Sequence, residues 1–153
     1  MSASKSNQAK SKFLSNSERE QVMNAIAEAE KATSGEIRVH IESHCHGDPF
    51  ERATTVFGKL RMDRTAQRNG VLIYVATEDR QFAIIGDQGI NDAVPAGFWE
   101  ETRDAMIRHF KDGRFCEGLC DGLHAAGQAL SKYFPYQGTK DVNELSDEIS
   151  EGR

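Results

Sequence analysis

The sequence lacks any run of apolar residues approaching the ~18 that a membrane-spanning helix needs, so insertion into a bilayer is not expected. It lacks an excess of positive charge: 19 basic against 24 acidic side chains leave a net charge of −5. That argues against a nucleic-acid partner, whose phosphates would require a basic face. Cysteine is scarce and odd in number (Cys45, Cys116 and Cys120), which excludes a disulfide framework. The opening Met1-Ser-Ala-Ser-Lys-Ser has no apolar stretch of the kind an export signal carries, so a reducing cytoplasmic location is expected. No P-loop, GxGxxG, HExxH or nucleophile-elbow motif occurs. What remains is a chain of 153 residues, 38% hydrophobic and 28% charged, which fits one soluble domain with a real core.

The ends differ from the middle. Residues 1–12 hold three lysines and no acid, whereas residues 141–153 hold five acids (Asp141, Glu144, Asp147, Glu148, Glu151) and one base. Both ends are poor in core-forming residues, so residues 1–14 read as a mobile segment, 15–136 as the domain and 137–153 as a solvated acidic tail. Val142, Leu145 and Ile149 keep near-helical spacing in that tail and allow it to dock as a short amphipathic turn.

Within the domain, Ser17-x-x-Glu20 reads as a capping box opening a helix over about 17–32. Glu36-Ile-Arg-Val-His-Ile-Glu42 alternates strictly, predicting a strand with Ile37, Val39 and Ile41 buried and a polar opposite face near a sheet edge or cleft. Asp48-Pro49-Phe-Glu51 starts a second helix, with Phe50, Ala53, Phe57 and Leu60 on its core side. Val71-Leu-Ile-Tyr-Val-Ala76 is a continuous β-branched run, an interior strand that forms a hairpin with Phe82-Ala-Ile-Ile85. Gly86-Asp-Gln-Gly89 breaks the second of these strands. Pro95 opens a third helix with Trp99, Thr102, Met106 and Phe110 inward, and a fourth spans about 117–133. Glycines 118, 122 and 127 cost that fourth helix about 1 kcal/mol each relative to Ala, tolerable if they allow close packing on the sheet. The predicted fold is α/β: a three-layer α/β/α sandwich with a small mixed sheet and about four helices.

A strand–helix–strand unit makes the first two strands parallel, and the hairpin makes the third antiparallel to them. Both strand beginnings and the end of the third strand then share one rim, which gathers Glu36, Asn69 and Asp87, with Asp92 just beyond. Oxygen ligands suit hard cations, so the expected metal site is Asp87 helped by Asp92 and Glu36, taking Ca²⁺ or Mg²⁺. The competing reading makes Asp87 and Asp92 turn and capping residues. At the opposite end, His44-Cys45-His46 offers donors for Zn²⁺ or Ni²⁺ but no fourth ligand. Cys116, Cys120 and His124 form a helical stripe better read as a buried apolar face.

Four segments in order, Ser34-Gly-Glu-Ile37, Arg68-Asn-Gly-Val-Leu-Ile-Tyr-Val75, Phe82-Ala-Ile-Ile-Gly-Asp-Gln-Gly-Ile-Asn91 and Phe110-Lys-Asp-Gly-Arg-Phe-Cys-Glu-Gly-Leu119, resemble the TPM domain family over about residues 15–135. The resemblance includes thylakoid-lumen acid phosphatase-like and bacterial proteins. It implies an α/β/α sandwich, divalent-metal binding by acidic loop residues and, in some members, weak acid phosphatase activity. This sequence has Asn91 and Ala96 where many members carry acids. The expectation is therefore a non-catalytic metal-binding or interaction module, with a possible protein partner. The alternative is a weak metal-dependent acid phosphatase-like enzyme using Arg38 and Arg68 near the phosphate.

Overall fold

The computed structural model describes residues 13–136 and 149–152. Helix α1 (Asn16–Glu30) has its cap two residues earlier than the sequence pattern suggests. Ser15 is its N-cap and Glu18 closes the capping box, so the motif is the same Ser-x-x-Glu pattern shifted by two. The earlier start puts Leu14, which is 1% exposed, into the core. Leu14, expected in a mobile N-terminal segment, therefore belongs to the domain; residues 1–12 lie outside the described residues.

Strand β1 (Glu36–Glu42) follows, then α2 (Pro49–Lys59), capped by the Asp48 side chain on the Glu51 amide as the Asp-Pro signal predicts. Phe50 departs from expectation: it is 58% exposed, and Val56 takes its place beside Ala53 and Phe57 in the core. Strand β2 (Gly70–Ala76) is buried along its whole length, as a continuous apolar run demands. Strand β3 (Gln81–Gly86) completes the hairpin. The Gly86–Gly89 break is itself the start of a short helix, α3 (Gln88–Ala93), capped by Asp87. Helix α4 runs Phe98–Lys111 and α5 Phe115–Tyr133.

The sheet has the order β3-β2-β1-β4, where β4 is the pair Ser150–Glu151. β1 is parallel to β2 with Glu36 opposite Gly70, and β2 is antiparallel to β3 with Val71 opposite Gly86. β4 lies parallel to β1, with His40 opposite Ser150. So part of the tail expected in solvent returns to the sheet and buries Ile149; residues 137–148, with Val142 and Leu145, lie outside the described residues. One sheet face packs Ile37, Val39, Val71 and Ile73 against α1, α4 and α5. The other packs Leu72, Tyr74, Ala83 and Ile85 against α2. Helices on both faces of a mixed sheet give the three layers predicted.

β1 is paired with β2 along its length and with β4 at His40 and Ile41. Glu36, His40 and Glu42 on its polar face are buried; at the His40–Glu42 end β4 takes the edge position and α2 sends Arg52 across. The α5 glycines also differ from expectation in what they meet. A Cβ at Gly118 would strike Phe110, one at Gly122 would strike Met106, and one at Gly127 would strike Ala29. They admit neighbouring helices rather than the sheet.

Candidate functional site

The rim predicted from topology is present. Glu36 begins β1 opposite Gly70, and the Asp87 amide donates to the Gly70 carbonyl at 2.8 Å, so Asp87 stands one strand away from Glu36 on the same end of the sheet. Asp87 caps α3 through Oδ1, which accepts from the Gln88 amide at 2.8 Å. Its carboxylate is also gripped by Arg68, whose Nε donates to Oδ2 at 2.7 Å and Nη2 to Oδ1 at 2.8 Å. This is the fork-to-fork geometry in which guanidinium and carboxylate bind best. The Asp87 side chain is 6% exposed and that of Arg68 50%. Arg68 holds φ 53, a left-handed conformation that L side chains rarely adopt, so the backbone turns sharply to present this guanidinium.

Glu36 is 3% exposed at the strand start, while Asp92 lies exposed on α3. Among the described residues no group of three or more His, Cys, Asp or Glu side chains is arranged to hold a metal ion. Asn91 is engaged otherwise: its Nδ2 donates to the Gly86 carbonyl and its Oδ1 accepts from the Trp99 indole, both at 2.8 Å. That side chain pins α3 and α4 to the end of β3.

The strongest polar cluster sits at the opposite end of the sheet, on the buried polar face of β1. Glu42 accepts from Arg52 Nε at 2.8 Å and Nη2 at 2.9 Å, from the Tyr74 hydroxyl, and from His40 Nε2 at 3.2 Å. His40 Nδ1 faces the Ser150 hydroxyl at 3.0 Å. Burial holds the imidazole below its usual range. A neutral ring with its proton on Nε2 donates to Glu42 and accepts from Ser150, which satisfies both nitrogens. Burial pushes Glu42 upward, but the bonds from Arg52, Tyr74 and His40 outweigh it and bring the carboxyl to about 2. A Cβ at Gly152 would come within 2.5 Å of Glu42 Oε1, so the returning chain closes directly over the cluster. Sequence alternation identifies the polar face but not its burial, since the covering Arg52 and Ser150 come from distant segments.

The other metal candidates are held by local bonds. His44 faces Asp79 Oδ1 at 3.2 Å, the Cys45 amide donates to Asp79 Oδ2 at 2.6 Å, and His46 is exposed. Cys116 points at the Glu18 carbonyl and Gln21, and burial pushes the Cys120 thiol up to about 12, which suits a packed apolar face.

Comparison with known proteins matches the family model of the TPM domain to residues 8–129. This chain belongs to the TPM domain family. Its structure is similar to the NMR structure of the BA42 protein from the psychrophilic bacterium Bizionia argentinensis. The two are 52% identical with a TM-score of 0.84, over 92% of this chain and 96% of that one. The N-terminal domain of a P. gingivalis protein shares the fold at 24% identity and a TM-score of 0.63, over 80% of this chain and 79% of the other. So does the N-terminal domain of the cg2496 protein from Corynebacterium glutamicum, at 14% identity and a TM-score of 0.61, over 92% and 80%. No curated protein matches significantly. No described helix of this TPM domain is long and apolar enough to cross a membrane.

Proposed function

We propose that this TPM domain is a non-catalytic binding module that takes a divalent cation, Ca²⁺ or Mg²⁺, at the Asp87 rim in exchange for Arg68. The observation that carries the reading is the asymmetry of the Arg68–Asp87 pair. A nearly buried carboxylate already holds a positive group, and that group is half in solvent and tethered only by its side chain. The guanidinium occupies the place of a cation, and a hard ion with higher charge density competes for the same oxygens. Asp92, on α3, and Glu36, at the start of β1, are the other carboxylates expected at this site; they are not preassembled around Asp87. The phosphatase-like alternative would need a fuller set of carboxylates, and Asn91, where many family members carry an acid, is instead committed to the Gly86 carbonyl and the Trp99 indole, which favours the module.

Amide resonances followed by NMR during CaCl₂ and MgCl₂ titrations test this. Saturable shifts at Asp87–Asp92 and Glu36 are expected, lost in Asp87→Asn. They tighten in Arg68→Gly, which removes the competitor and suits the positive φ at 68. Shifts that persist in Asp87→Asn, or none at all, sink the cation proposal. Hydrolysis of p-nitrophenyl phosphate at pH 5 and pH 7 with either metal is expected to be absent. Turnover that Asp87→Asn abolishes would replace the module reading with the enzyme.

A further inference from the structure

β3 is the edge strand of the sheet, and its register fixes which of its backbone groups are free. The Asp87 amide bonds to the Gly70 carbonyl, which makes Gly70/Asp87 a hydrogen-bonded pair. Antiparallel alternation then makes Leu72/Ile85, Tyr74/Ala83 and Ala76/Gln81 the other such pairs. Phe82, Ile84 and Gly86 therefore turn their N–H and C=O groups away from β2. The Gly86 carbonyl is taken by Asn91. Phe82 and Ile84 offer two donors and two acceptors along an edge that no other strand covers among the described residues.

This edge is not flat against solvent. A groove of about 270 Å³ runs along Phe82–Gly86, walled by Pro49 and Phe50 of α2 on one side and by Trp99 and Arg103 of α4 on the other. At the Phe82 end it opens into a larger cavity of about 750 Å³, which shares Pro49, Phe82 and Arg103 with it. Phe110 and Phe115 line that cavity, with Arg80, Arg103 and Lys111. It has no acidic lining residue, and none of these three cations forms an ion pair among the described residues. The narrower groove carries Asp48, which caps α2, and Glu100. At the Gly86 end the groove meets the Asn91–Trp99 bond.

We infer that the β3 edge binds the C-terminal end of an extended polypeptide, with its free carboxylate in the cationic cavity and its last, apolar side chain among the phenylalanines. Strand addition to an exposed edge draws affinity from main-chain hydrogen bonds and specificity from pockets for the side chains. Charge sets the direction. A segment antiparallel to β3 brings its carboxyl end to Arg80, Arg103 and Lys111, whereas a parallel one would bring an amino terminus there and be repelled. The bound segment becomes a fifth strand, outside β3. The inference does not depend on cation binding at Asp87, because the groove uses neither that carboxylate nor Arg68.

The test uses the full chain, labelled with ¹⁵N, and a pool of N-acetylated hexapeptides with five randomised positions (proline and cysteine excluded) and a terminal Phe or Leu bearing a free carboxylate. Saturable shifts at the Phe82, Ile84 and Gly86 amides and the Trp99 indole are expected. Hydrogen exchange at Phe82 and Ile84 should slow at least tenfold under saturating pool. Amidating the peptide carboxyl, or the surface change Arg103→Glu, should weaken binding at least tenfold; Ile84→Pro, which removes an edge donor, should do the same. Absence of shifts at millimolar pool, equal binding of the amidated pool, or shifts confined to other surfaces would overturn the inference. So would edge amides already protected without peptide. Protection that rises with protein concentration would assign the edge to a second copy, and concentration-independent protection to another segment of this chain.

Discussion

At Glu42, four hydrogen bonds from three side chains on three elements meet one carboxylate. A charge removed from water in this way is stable only while its partners remain, so losing one side of the cluster costs more than the cluster contributes in total. Glu42→Gln is expected to lower stability by about 3–5 kcal/mol, read from urea unfolding, because Arg52 is left without its counter-charge. The acid dependence follows from the directions of two shifts. His40 stays neutral in the fold, so its contribution is complete above pH 6.5 and is lost as pH falls toward its lowered folded value. Glu42 contributes fully above pH 4.5 and loses its contribution as pH falls toward about 2. Stability should therefore decline below neutrality in two stages, and Glu42→Gln should abolish the lower one. A profile that rises on acidification would contradict the assigned charge states.

At the scale of elements, glycines mark where two pieces of backbone approach. Gly89 in α3 lies against the loop before β2: a Cβ there would sit 2.2 Å from the Gln67 carbonyl oxygen and 2.6 Å from that of Arg68. Backbone cannot yield as a side chain does, so Gly89→Ala is expected to cost about 3 kcal/mol or more, the upper end of overpacking. Gly122→Ala on α5 is the contrast. Its new methyl would meet the flexible Met106 side chain, 2.5 Å from Sδ, and gains about 1 kcal/mol of helix propensity. Its net cost should stay below about 1 kcal/mol. Thermal melts of the two variants check the ranking; equal losses would show that α3 is free to move off the loop.

For the whole molecule, the four described residues near the C-terminus decide how the sheet ends. Ile149 enters the core, Ser150 faces His40, the Arg19 guanidinium reaches Glu151 at 2.7 Å, and the Gly152 amide donates to the Ile41 carbonyl at 2.7 Å. Burial of one isoleucine alone supplies about 1.5–3 kcal/mol. Removing residues 149–153 is expected to lower stability by roughly that amount and to speed amide exchange in β1, which becomes an edge strand. Unchanged β1 protection in the shortened chain would show that this strand makes no contribution. The two sheet edges then differ: β4 covers β1 at His40 and Ile41, while no described strand covers β3 between its two flanking helices.

Local chemistry made most of the elements legible. Alternation marked β1, a continuous β-branched run marked β2, Asp48-Pro49 started α2, and the strand–helix–strand order put Glu36 and Asp87 on a common rim. These signals act between near neighbours, where backbone geometry and hydropathy leave few choices. Tertiary contacts decided the rest. Ser15 capped α1 because Leu14 found a place in the core; Arg68 claimed Asp87 from 19 residues away; Arg52 and Ser150 converted an apparently solvent-facing side of β1 into a buried charged network. The Arg68–Asp87 pair and the Glu42 network join residues with no local signature in common, and the strength of the Glu42 network comes from exclusion of water, which exists only once the layers have closed.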